Sequence, residues 1–389
     1  MRAVLLGSGS YKSSLTYYRL VTLGKELSRL GWDISIIVPS ADKYNDFTPD
    51  KQAHIEGVAL VQPWQPATRS MPVNLLPYLF TATWAMQRRR AQLIYLYKPT
   101  PITIIGLLPK LLFGTPMVLD LDDLGSEVMR LEGQPAVQVK LVAWCERVAL
   151  RHATAVVVAS TYLRDMVRAK YPGKPVLVLS NGVDLEEYPA APEAAPRPVL
   201  YYFGALNRLS LIEPLLRALP QTFAAVPDAT AYILGGGKAL DEARQLAQHL
   251  GIAGRVTFTG WVDKDAIRAY ARFADIALCT QPDMPTVRAA SNMKVFQYMS
   301  VASVPVVSDV GDLGSYVAGD GQEPAGAVVP ADDEQALASV LIHLLTHPDE
   351  RAKMALAARK RAETTYALPV LARQLQAFIT AHATQKKRR

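Results

Sequence analysis

The chain has 389 residues, half of them apolar and a fifth charged, with a formal net charge of +7. This length exceeds what one hydrophobic core usually supports, so two domains are expected. The composition is that of a globular protein and excludes a disordered chain. Basic residues are not interleaved with base-stacking aromatics in a known module pattern, which argues against nucleic acid as a partner.

The beginning of the chain and its cysteines predict a cytoplasmic protein. The first residues, "MRAVLLGSGS", contain an apolar run of four residues, which is too short for a signal peptide. Cys145 and Cys279 lie far apart and fit no metal-ligand or disulfide spacing, as is usual in a reducing compartment. No run reaches the roughly 18 apolar residues that a membrane-spanning helix needs.

The first half of the chain alternates between short apolar runs and helix-length amphipathic stretches. In chain order the runs are "RAVLL", "DISIIV", "LIYLY", "PMVLDL", "AVVVAS" and "VLVLS". Near-continuous apolar strands with intervening helices are typical of a parallel sheet covered on both faces. We therefore predict an α/β doubly wound domain over residues 1–187.

A Pro- and Ala-rich stretch, "YPAAPEAAPRP" at 188–198, predicts a linker. The pattern then restarts with "VLYYFG", "TAYILGGG", "RVTFTG", "DIALCT", "VPVVSD" and "GAVVP". A second doubly wound domain is expected over 199–367, followed by a C-terminal helix and basic tail over 368–389. Ligands of such sheets bind outside the carboxyl ends of the strands, so a cleft between the two domains is the expected site.

The stretch "LLPYLFTATWAMQRRRAQ" at 75–92 allows two interpretations. Its apolar, aromatic and triply basic composition suits a membrane-surface element, and equally a helix packed on a sheet with a solvated end. The first 189 residues carry 21 Lys and Arg against 16 Asp and Glu, which favours peripheral contact with an anionic membrane at its inner face. A later helical segment, "VQVKLVAWCERVALRH", is expected to pack through Trp144 and Cys145.

Glycines follow several predicted strands, where the backbone could approach a ligand. Gly204 ends "VLYYFG", residues 235–237 end "TAYILGGG", and Gly260 ends "VTFTG". Each alone is what a strand-to-helix turn requires, but three in succession favour a phosphate site. The stretch "GSGS" at 7–10 fails as a dinucleotide fingerprint because Lys12 occupies the third glycine position.

The stretch "SNMKVFQYMSVASVPVV" at 291–307 predicts a polar turn, a helix from Met293 and a buried strand. Lys294 and Gln297 are three residues apart, so they share a face near the first turn, where Lys294 is expected to be exposed. A helix N-terminus already carries positive partial charge, and a cation added there suits an anionic ligand.

The second half of the chain resembles the donor-binding half of the retaining GT-B glycosyltransferases of family 4. The matching stretches are "PVLVLSNGVDLEEY", "YYFGALNR", "LGGG", "RVTFTGWVDKDAIRAYARFADIAL" and "MKVFQYMSVASVPVVSDVG". Earlier, "LIYLYKPTPITIIGLLPKLLFGTPMVLDLDDLGSE" resembles the family's acceptor-side strand–helix–strand unit. The resemblance spans nearly the whole chain and implies the GT-B architecture, with two Rossmann-like domains facing across a cleft.

The resemblance also implies a reaction. A sugar would pass from a nucleoside-diphosphate sugar to a hydroxyl of a glycan or lipid-linked acceptor with retention, serving polysaccharide or glycolipid assembly, and no cofactor or metal is expected. The catalytic residues would be Asp122, Asp123, Arg208 and Lys294, and the acceptor-side loop would hold Gly9, Ser10 and Tyr11. The donor side would comprise Gly204, Asn207, Gly235, Gly236, Trp261, Val262, Arg288, Asn292, Met293 and Gln297.

Two positions depart from the family pattern. The family commonly has two glutamates eight residues apart, one for the donor sugar and one for the ribose, and this chain has Ala289 and Gln297 there. The amide of Gln297 can still exchange hydrogen bonds with ribose hydroxyls, whereas Ala289 offers no polar group. Sugar recognition is therefore expected from the loop "QPDMPTVRAASN", through Asp283, Thr286, Arg288 and Asn292.

The sequence "DLDD" at 120–123 has three interpretations. Asp120 and Asp122 match the metal-binding Asp-x-Asp of the unrelated GT-A transferases, but that motif lacks its structural context here. The resembling family has Asp-x-His-Asp or Asp-x-Arg-Asp at this point, so Asp122 or Asp123 is expected to orient the acceptor hydroxyl. Capping of the following helix is the alternative for Asp123.

The sequence is also compatible with two other functions. The departures at Ala289 and Gln297 also suit a catalytically weak GT-B protein that binds a sugar nucleotide or a partner transferase. A sugar-nucleotide epimerase of the same fold is the second alternative, because a fold does not determine one function.

Overall fold

The structure is a computed structural model that describes residues 1–7, 15–38, 50–55, 57–63, 71–189, 198–206, 212–319, 321 and 323–384. It divides into two compact units. The first unit comprises Met1–Ser180 with Leu368–Arg389, and the second comprises Asn181–Ala367. Each unit is an α/β structure with a mainly parallel sheet, as the alternating pattern predicts.

The chain passes between the units at Ser180 and again at Ala367, and not within the predicted linker 188–198. Val183 forms a β-bridge with Ala367, and Tyr188 is buried in a core of the second unit. The predicted boundary at 187 is therefore too late, because the chain already belongs to the second unit from Asn181. The C-terminal helix returns to the first unit, and residues 190–197 of the linker lie outside the described part.

The first unit is built on an eight-stranded sheet. Its strands are β1 (Arg2–Leu6), β2 (Asp33–Ile37), β3 (Asp50–Ile55), β4 (Val58–Pro63), β5 (Leu93–Tyr97), β6 (Met117–Leu121), β7 (Ala155–Val158) and β8 (Val176–Val178). They lie in the order β3-β4-β2-β1-β5-β6-β7-β8, and only β3 pairs antiparallel. The six apolar runs form β1, β2 and β5 to β8, and the edge hairpin β3–β4 is an addition to the prediction.

Helices cover both faces of this sheet. They are α1 (Leu15–Arg29), α2 (Met71–Arg88), α3 (Leu107–Phe113), α4 (Gly125–Leu131), α5 (Ala136–His152), α6 (Thr161–Lys170) and the C-terminal helix (Leu368–His382), with a 3₁₀ turn at Thr103–Gly106. The C-terminal helix packs beside α1, where Leu375 and Leu20 share one buried core. Cys145 of α5 is buried as expected, but Trp144 is half exposed because it lies on the outward side.

The second unit has a six-stranded sheet. Its strands are β9 (Val199–Phe203), β10 (Thr230–Leu234), β11 (Val256–Gly260), β12 (Ile276–Cys279), β13 (Val304–Ser308) and β14 (Ala327–Val329). They lie in the order β11-β10-β9-β12-β13-β14, and every neighbouring pair is parallel. The six predicted runs of this half are confirmed, and their carboxyl ends share one edge of the sheet.

The helices of the second unit alternate with its strands. They are α7 (Ile212–Ala225), α8 (Leu240–His249), α9 (Lys264–Phe273), α10 (Pro285–Ala289), α11 (Met293–Ser300), α12 (Leu313–Val317), α13 (Glu334–Thr346) and α14 (Pro348–Arg361), followed by a π-helical turn at Ala362–Tyr366. The helix from Met293 and the strand after it are therefore confirmed. Asp263 and Asp333 begin α9 and α13 by accepting hydrogen bonds from the backbone N–H groups of Ala266 and Ala336.

The sheet of the second unit has a buried core on each face. Leu216 and Leu341 represent the core formed with α7 and α13, and Phe296 and Tyr298 represent the core formed with α11. Within the described residues, no helix is both long enough and apolar enough to cross a bilayer.

Candidate functional site

Two loops at the carboxyl edge of the second sheet are joined by backbone hydrogen bonds. The N–H of Gly204 donates to Leu234 O at 3.0 Å, and the N–H of Leu206 donates to Gly236 O at 2.9 Å. The N–H of Gly235 donates to Gly260 O at 2.8 Å, which ties in the end of β11. The three predicted glycine turns therefore lie side by side.

Close packing of these loops already requires glycine, whatever ligand they bind. Gly235 has φ of +125°, and a Cβ placed there would lie 1.9 Å from Gly204 O. Gly237 has φ of +145°, and its Cβ would lie 2.2 Å from Leu206 O. Both are positions that side-chain-bearing residues rarely adopt. The loops form a closely packed, backbone-lined surface at the end of β9 and β10.

Trp261 borders this surface. Its side chain is 72% exposed, and its indole Nε1 would lie 2.6 Å from a Cβ on Gly236. The indole therefore rests on the glycine loop with much of the ring open to solvent, which suits stacking of a base. Val262, the other residue predicted at the base, is partly buried against the core and offers less surface.

Lys294 is partly buried, in contrast to the exposed first-turn lysine that was expected. Its Nζ donates to Phe203 O at 3.2 Å and lies 4.9 Å from the ring centroid of Tyr202. Burial lowers the pKa of Lys294, but the side chains of Tyr202 and Cys279 act in the opposite direction, and the net pKa lies above its ordinary value. Nζ would lie 3.1 Å from a Cβ on Gly204, so the cation is held beside the glycine loops.

Gln297, one turn further along α11, is 95% buried, since only 5% of it is exposed. Its Oε1 atom is buried and has no hydrogen-bond donor among the described residues. An unpaired buried acceptor destabilises a protein by about 1–3 kcal/mol unless something donates to it. The same helix thus carries a held cation and an unsatisfied acceptor.

The loop between β12 and α11 holds the other predicted donor residues. The guanidinium of Arg288 donates to both carboxylate oxygens of Asp283 at 2.6 Å, and this contact lowers the pKa of Asp283. Thr286 and Ala289 are buried. Arg288 and Asp283 therefore form one exposed ion pair and do not present two independent charges.

Residues 180–182, within the "SNGVD" motif, support the start of α11. Asn181 Nδ2 donates to Ser291 O at 2.7 Å, and the backbone N–H of Asn181 donates to Ser291 Oγ. Asn292 follows as the residue before α11, and Met293 is its first residue, both partly buried. Asn181 is a positioning residue that the sequence did not single out as one.

In the first unit, the "DLDD" stretch lies at the end of β6, beside β5. Asp120 is fully buried, and its carboxylate accepts from Arg19 Nε at 2.8 Å, from Arg19 Nη2 at 3.1 Å and from the Tyr95 hydroxyl at 2.6 Å. Burial and Asp120 raise the pKa of Tyr95 well above its ordinary value, so this hydroxyl stays protonated. The Asp120 side chain is thereby committed to structure, contrary to the Asp-x-Asp metal interpretation.

Asp122 and Asp123 are held by residues that the sequence did not single out. Lys98 Nζ lies 2.6 Å from Asp123 Oδ2 and 3.2 Å from Asp122 Oδ1, and the Tyr97 hydroxyl donates to Asp122. Burial and the charge of Asp122 raise the pKa of Asp123, while Lys98 lowers it, and the net pKa lies above its ordinary value. Lys98 has φ of +51°, a conformation uncommon outside glycine.

Asp123 does not cap the following helix, so that alternative is wrong. The residue before α4 is Leu124, and no side chain caps it. The N–H of Ser126 instead donates to Glu146 Oε1 at 3.0 Å, and the Ser126 hydroxyl donates to Glu146 Oε2. Asp123 instead contacts Lys98, the residue that follows β5.

Five predicted residues lie outside the described part of the chain. They are Gly9, Ser10, Tyr11, Asn207 and Arg208. Within the described part, no cluster of three or more His, Cys, Asp or Glu side chains is placed to hold a metal ion.

Two family models match the chain. The model of the Glycosyl transferase 4-like domain matches residues 18–182, and that of Glycosyl transferases group 1 matches residues 197–347. Together they cover most of both units. The chain therefore belongs to the group 1 glycosyl transferases, as the sequence motifs indicated.

The curated relatives of the chain share less than a third of its residues over the matched stretches. A GDP-mannose-dependent alpha-(1-6)-phosphatidylinositol monomannoside mannosyltransferase of Mycolicibacterium smegmatis is 28% identical over 234 residues, which are 55% of this chain and 59% of the relative. The alpha-maltose-1-phosphate synthase of the same organism is 27% identical over 298 residues, 70% of this chain and 74% of the relative. The chain spans about three fifths of the length of the mannosyltransferases that it matches.

Solved structures share the fold. Sucrose-phosphate synthase from Thermosynechococcus elongatus gives a TM-score of 0.76 at 18% identity, covering 98% of each chain. Anabaena HepE in complex with UDP and glucose gives 0.72 at 16% identity, covering 98% of this chain and all of the other. The architecture is GT-B, with two Rossmann-like units.

Proposed function

We propose that this protein transfers a sugar from a nucleoside-diphosphate sugar to an acceptor hydroxyl, with retention of configuration and without a metal. The observation that carries the proposal is the pair on α11, a held cation at Lys294 and an unpaired acceptor at Gln297 Oε1. A nucleoside diphosphate supplies what both atoms need, because its phosphates are anionic and its ribose hydroxyls are donors.

The donor would lie across the carboxyl edge of the second sheet. Its diphosphate would lie at Lys294 and the loop of Gly204, with Arg208 as a second cation from the segment outside the described residues. The base would stack on the exposed indole of Trp261. The ribose would donate to Gln297, and the sugar would meet the pair formed by Arg288 and Asp283.

The chemistry would rest on charge stabilisation at the leaving group. Negative charge grows on the diphosphate as the bond to the sugar breaks, and a preorganised cation lowers the barrier most when it needs no reorganisation. Lys294 meets that condition because Phe203 O and the Tyr202 ring fix its position. The departing phosphate oxygen would take the proton of the acceptor hydroxyl, and Asp122 or Asp123 would orient that hydroxyl.

Cations of the chain itself support a metal-free mechanism. Asp120 is neutralised by Arg19, and Asp122 and Asp123 share Lys98. A divalent ion at these carboxylates would have to displace a lysine or an arginine that is already in contact. On the donor side, Lys294 would supply the positive charge that a metal ion could otherwise supply at the phosphates.

The relatives suggest the substrate classes. Names among them include GDP-mannose as a donor and phosphatidylinositol mannosides as acceptors, and one structural neighbour holds UDP with glucose. We therefore propose a hexose donor on UDP or GDP and a lipid-linked or glycan acceptor. The role would be assembly of a cell-surface polysaccharide or glycolipid. The protein would reach its acceptor through peripheral contact with a membrane.

A donor screen tests this function. Thermal shift with UDP- and GDP-hexoses should identify at least one stabilising donor, and that donor should then be consumed when lipid-linked or glycan acceptors are added. If a donor stabilises the protein but is neither transferred to an acceptor nor slowly hydrolysed, the protein is instead a sugar-nucleotide binder. Isomerisation of the free donor sugar would indicate an epimerase.

A further inference from the structure

Three helices of the first unit, α2, α3 and α5, lie on one face of its sheet. The connections β4 to β5, β5 to β6 and β6 to β7 run in one direction across the strand order, whereas β1 to β2 runs in the other. Because crossovers between parallel strands are right-handed, the first three place their helices together and α1 opposite. The packing supports this placement. A Cβ on Gly106, just before α3, would meet Leu6 and Ile94. The neighbouring strand residues Leu5 and Tyr95 point to the opposite face, into the core that contains α1.

These helices expose large apolar side chains. The exposed fractions are 59% at Leu111, 64% at Leu112 and 61% at Phe113, all on the seven-residue helix α3. Leu141 and Trp144, three residues apart on α5, are also exposed. A short helix that turns three consecutive apolar residues to the surface is unusual in a protein that meets only water.

The same three helices are strongly basic. Among their residues, Arg88, Lys110, Lys140, Arg147 and Arg151 stand against a single acidic residue. That acid, on α5, is turned toward the start of α4, where it accepts two hydrogen bonds from one serine. The outward side of α5 therefore carries both basic and apolar exposed residues, namely Lys140, Leu141, Trp144, Arg147 and Arg151.

We propose that α2, α3 and α5 form a docking face for an anionic lipid bilayer, with Leu111, Leu112 and Phe113 entering the interface. Apolar side chains next to basic ones on a helix surface bind bilayers by burial and by attraction to anionic lipid. Trp84 and Trp144 are the aromatic residues that prefer the headgroup level, and Arg88 lies 5.1 Å above the Trp84 ring. This docking face is where the membrane contact of the proposed function would occur, and the proposal rests on that function.

Charge distinguishes this occupant from a second copy of the chain. Two copies joined through this face would bring the basic side chains of both together, and like charges that lose water repel. An anionic bilayer neutralises the same charges. Only a partner that is both apolar and anionic satisfies the apolar residues and the basic residues of this face together.

Sedimentation of the intact protein with vesicles tests the docking face. Vesicles of phosphatidylcholine with phosphatidylserine should bind the wild-type protein at low salt, and vesicles of phosphatidylcholine alone should bind it less. The double variant Leu111→Ser, Leu112→Ser should lose about tenfold in binding, since each buried methylene contributes to partitioning. Leu356→Ser, which changes an equally exposed leucine on α14 of the second unit, should bind like the wild type.

A second variant removes charge and leaves every apolar group in place. Lys140→Gln with Arg147→Gln should weaken binding to anionic vesicles by about tenfold or more and should reduce its salt dependence, which Arg88, Lys110 and Arg151 would partly retain. Wild-type protein that fails to bind anionic vesicles overturns the proposal, and so does undiminished binding by both double variants. Concentration-dependent dimers that Leu111→Ser, Leu112→Ser abolishes would also overturn it in favour of self-association.

The outcome is separable from the glycosyltransferase proposal. Donor-dependent transfer to a soluble acceptor should be unchanged in both double variants, because none of the four positions belongs to the candidate site. Transfer without vesicle binding would refute the docking face alone. Vesicle binding without any donor use would refute the proposed activity and leave the docking face standing.

Discussion

Gln297 carries a buried amide oxygen for which no described residue is a donor. Gln297→Leu keeps a similar volume and removes the acceptor, so the desolvation cost of about 1–3 kcal/mol disappears. We predict that the free energy of unfolding is unchanged or higher, whereas the affinity for UDP or GDP falls by about 0.5–1.5 kcal/mol. Thermal unfolding measures the stability and titration calorimetry measures the affinity, and only the affinity is expected to fall.

Ser303 provides the matched control. Its hydroxyl is also buried without a partner among the described residues, but it precedes β13 at the amino end of the strand, away from the candidate donor edge. Ser303→Ala should change stability without changing nucleotide affinity. Unchanged affinity in both variants would remove Gln297 from the donor site.

Lys98 lowers the pKa of Asp123, just after β6. Without its charge, the pKa of Asp123 would rise further, because burial and Asp122 already raise it and Glu146 acts in the same direction. Tyr97, also beside Asp122, stays protonated and adds no opposing charge. If an ionised carboxylate orients the acceptor, activity falls as pH drops through that pKa. Lys98→Met should therefore move the acid limb of kcat/KM to higher pH, by about one unit or more.

Lys174→Met is the control for this shift. Lys174 is likewise a partly buried lysine of the first unit, but its Nζ donates to the backbone oxygens of Leu150 and Ala153. Its loss should lower stability and leave the acid limb in place. If the acid limb of kcat/KM lies at the same pH in Lys98→Met and in the wild-type enzyme, Lys98 has a structural role only.

At the scale of elements, the loops after β9 and β10 depend on glycine. Gly235→Ala would place a Cβ against Gly204 O in a conformation that only glycine adopts readily. We predict a loss of at least ~1–3 kcal/mol in the free energy of unfolding, together with weaker nucleotide binding. Gly254→Ala, where a Cβ meets nothing within 4 Å, should cause neither in the same denaturant and titration experiments.

Most of the strands could be predicted from the sequence because they are buried on both faces and therefore nearly continuous in apolar residues. The hairpin of β3 and β4 was not predicted, since "DKQAHI" at an edge of the sheet alternates too weakly to distinguish a strand from a loop. The boundary between the units was also missed. A proline-rich stretch indicates where regular structure stops, but contacts such as that of Val183 with Ala367 decide which unit a segment joins.

The candidate site could be predicted only where a motif marks it. Lys294 and Gln297 were found because they share a helix face, but the burial of both depends on strands far away in sequence. Lys98 has no motif, and its contact with Asp122 and Asp123 arises from the pairing of β5 with β6. Contacts made by sheet register have no local sequence signal.

At the scale of the molecule, the candidate groups are divided between two units that each fold around their own cores. The first unit holds Asp122 and Asp123 with Lys98, and the second unit holds Lys294 beside the glycine loops. Under the proposed metal-free mechanism, Lys294 would supply at the diphosphate the positive charge that a metal ion could otherwise supply. The central claim is that a cation fixed in the protein holds the diphosphate.

Titration calorimetry of the intact protein with UDP and with GDP, in the presence of EDTA, tests that claim most directly. Lys294→Met keeps the apolar stem against the Tyr202 ring and removes the charge. We predict that EDTA leaves the wild-type affinity unchanged and that Lys294→Met weakens it roughly 10–100-fold, the value of a charge-assisted hydrogen bond. Lys353→Met on the exposed side of α14 should bind normally. Affinity that EDTA abolishes and Mn²⁺ restores, or full affinity in Lys294→Met, would contradict the claim.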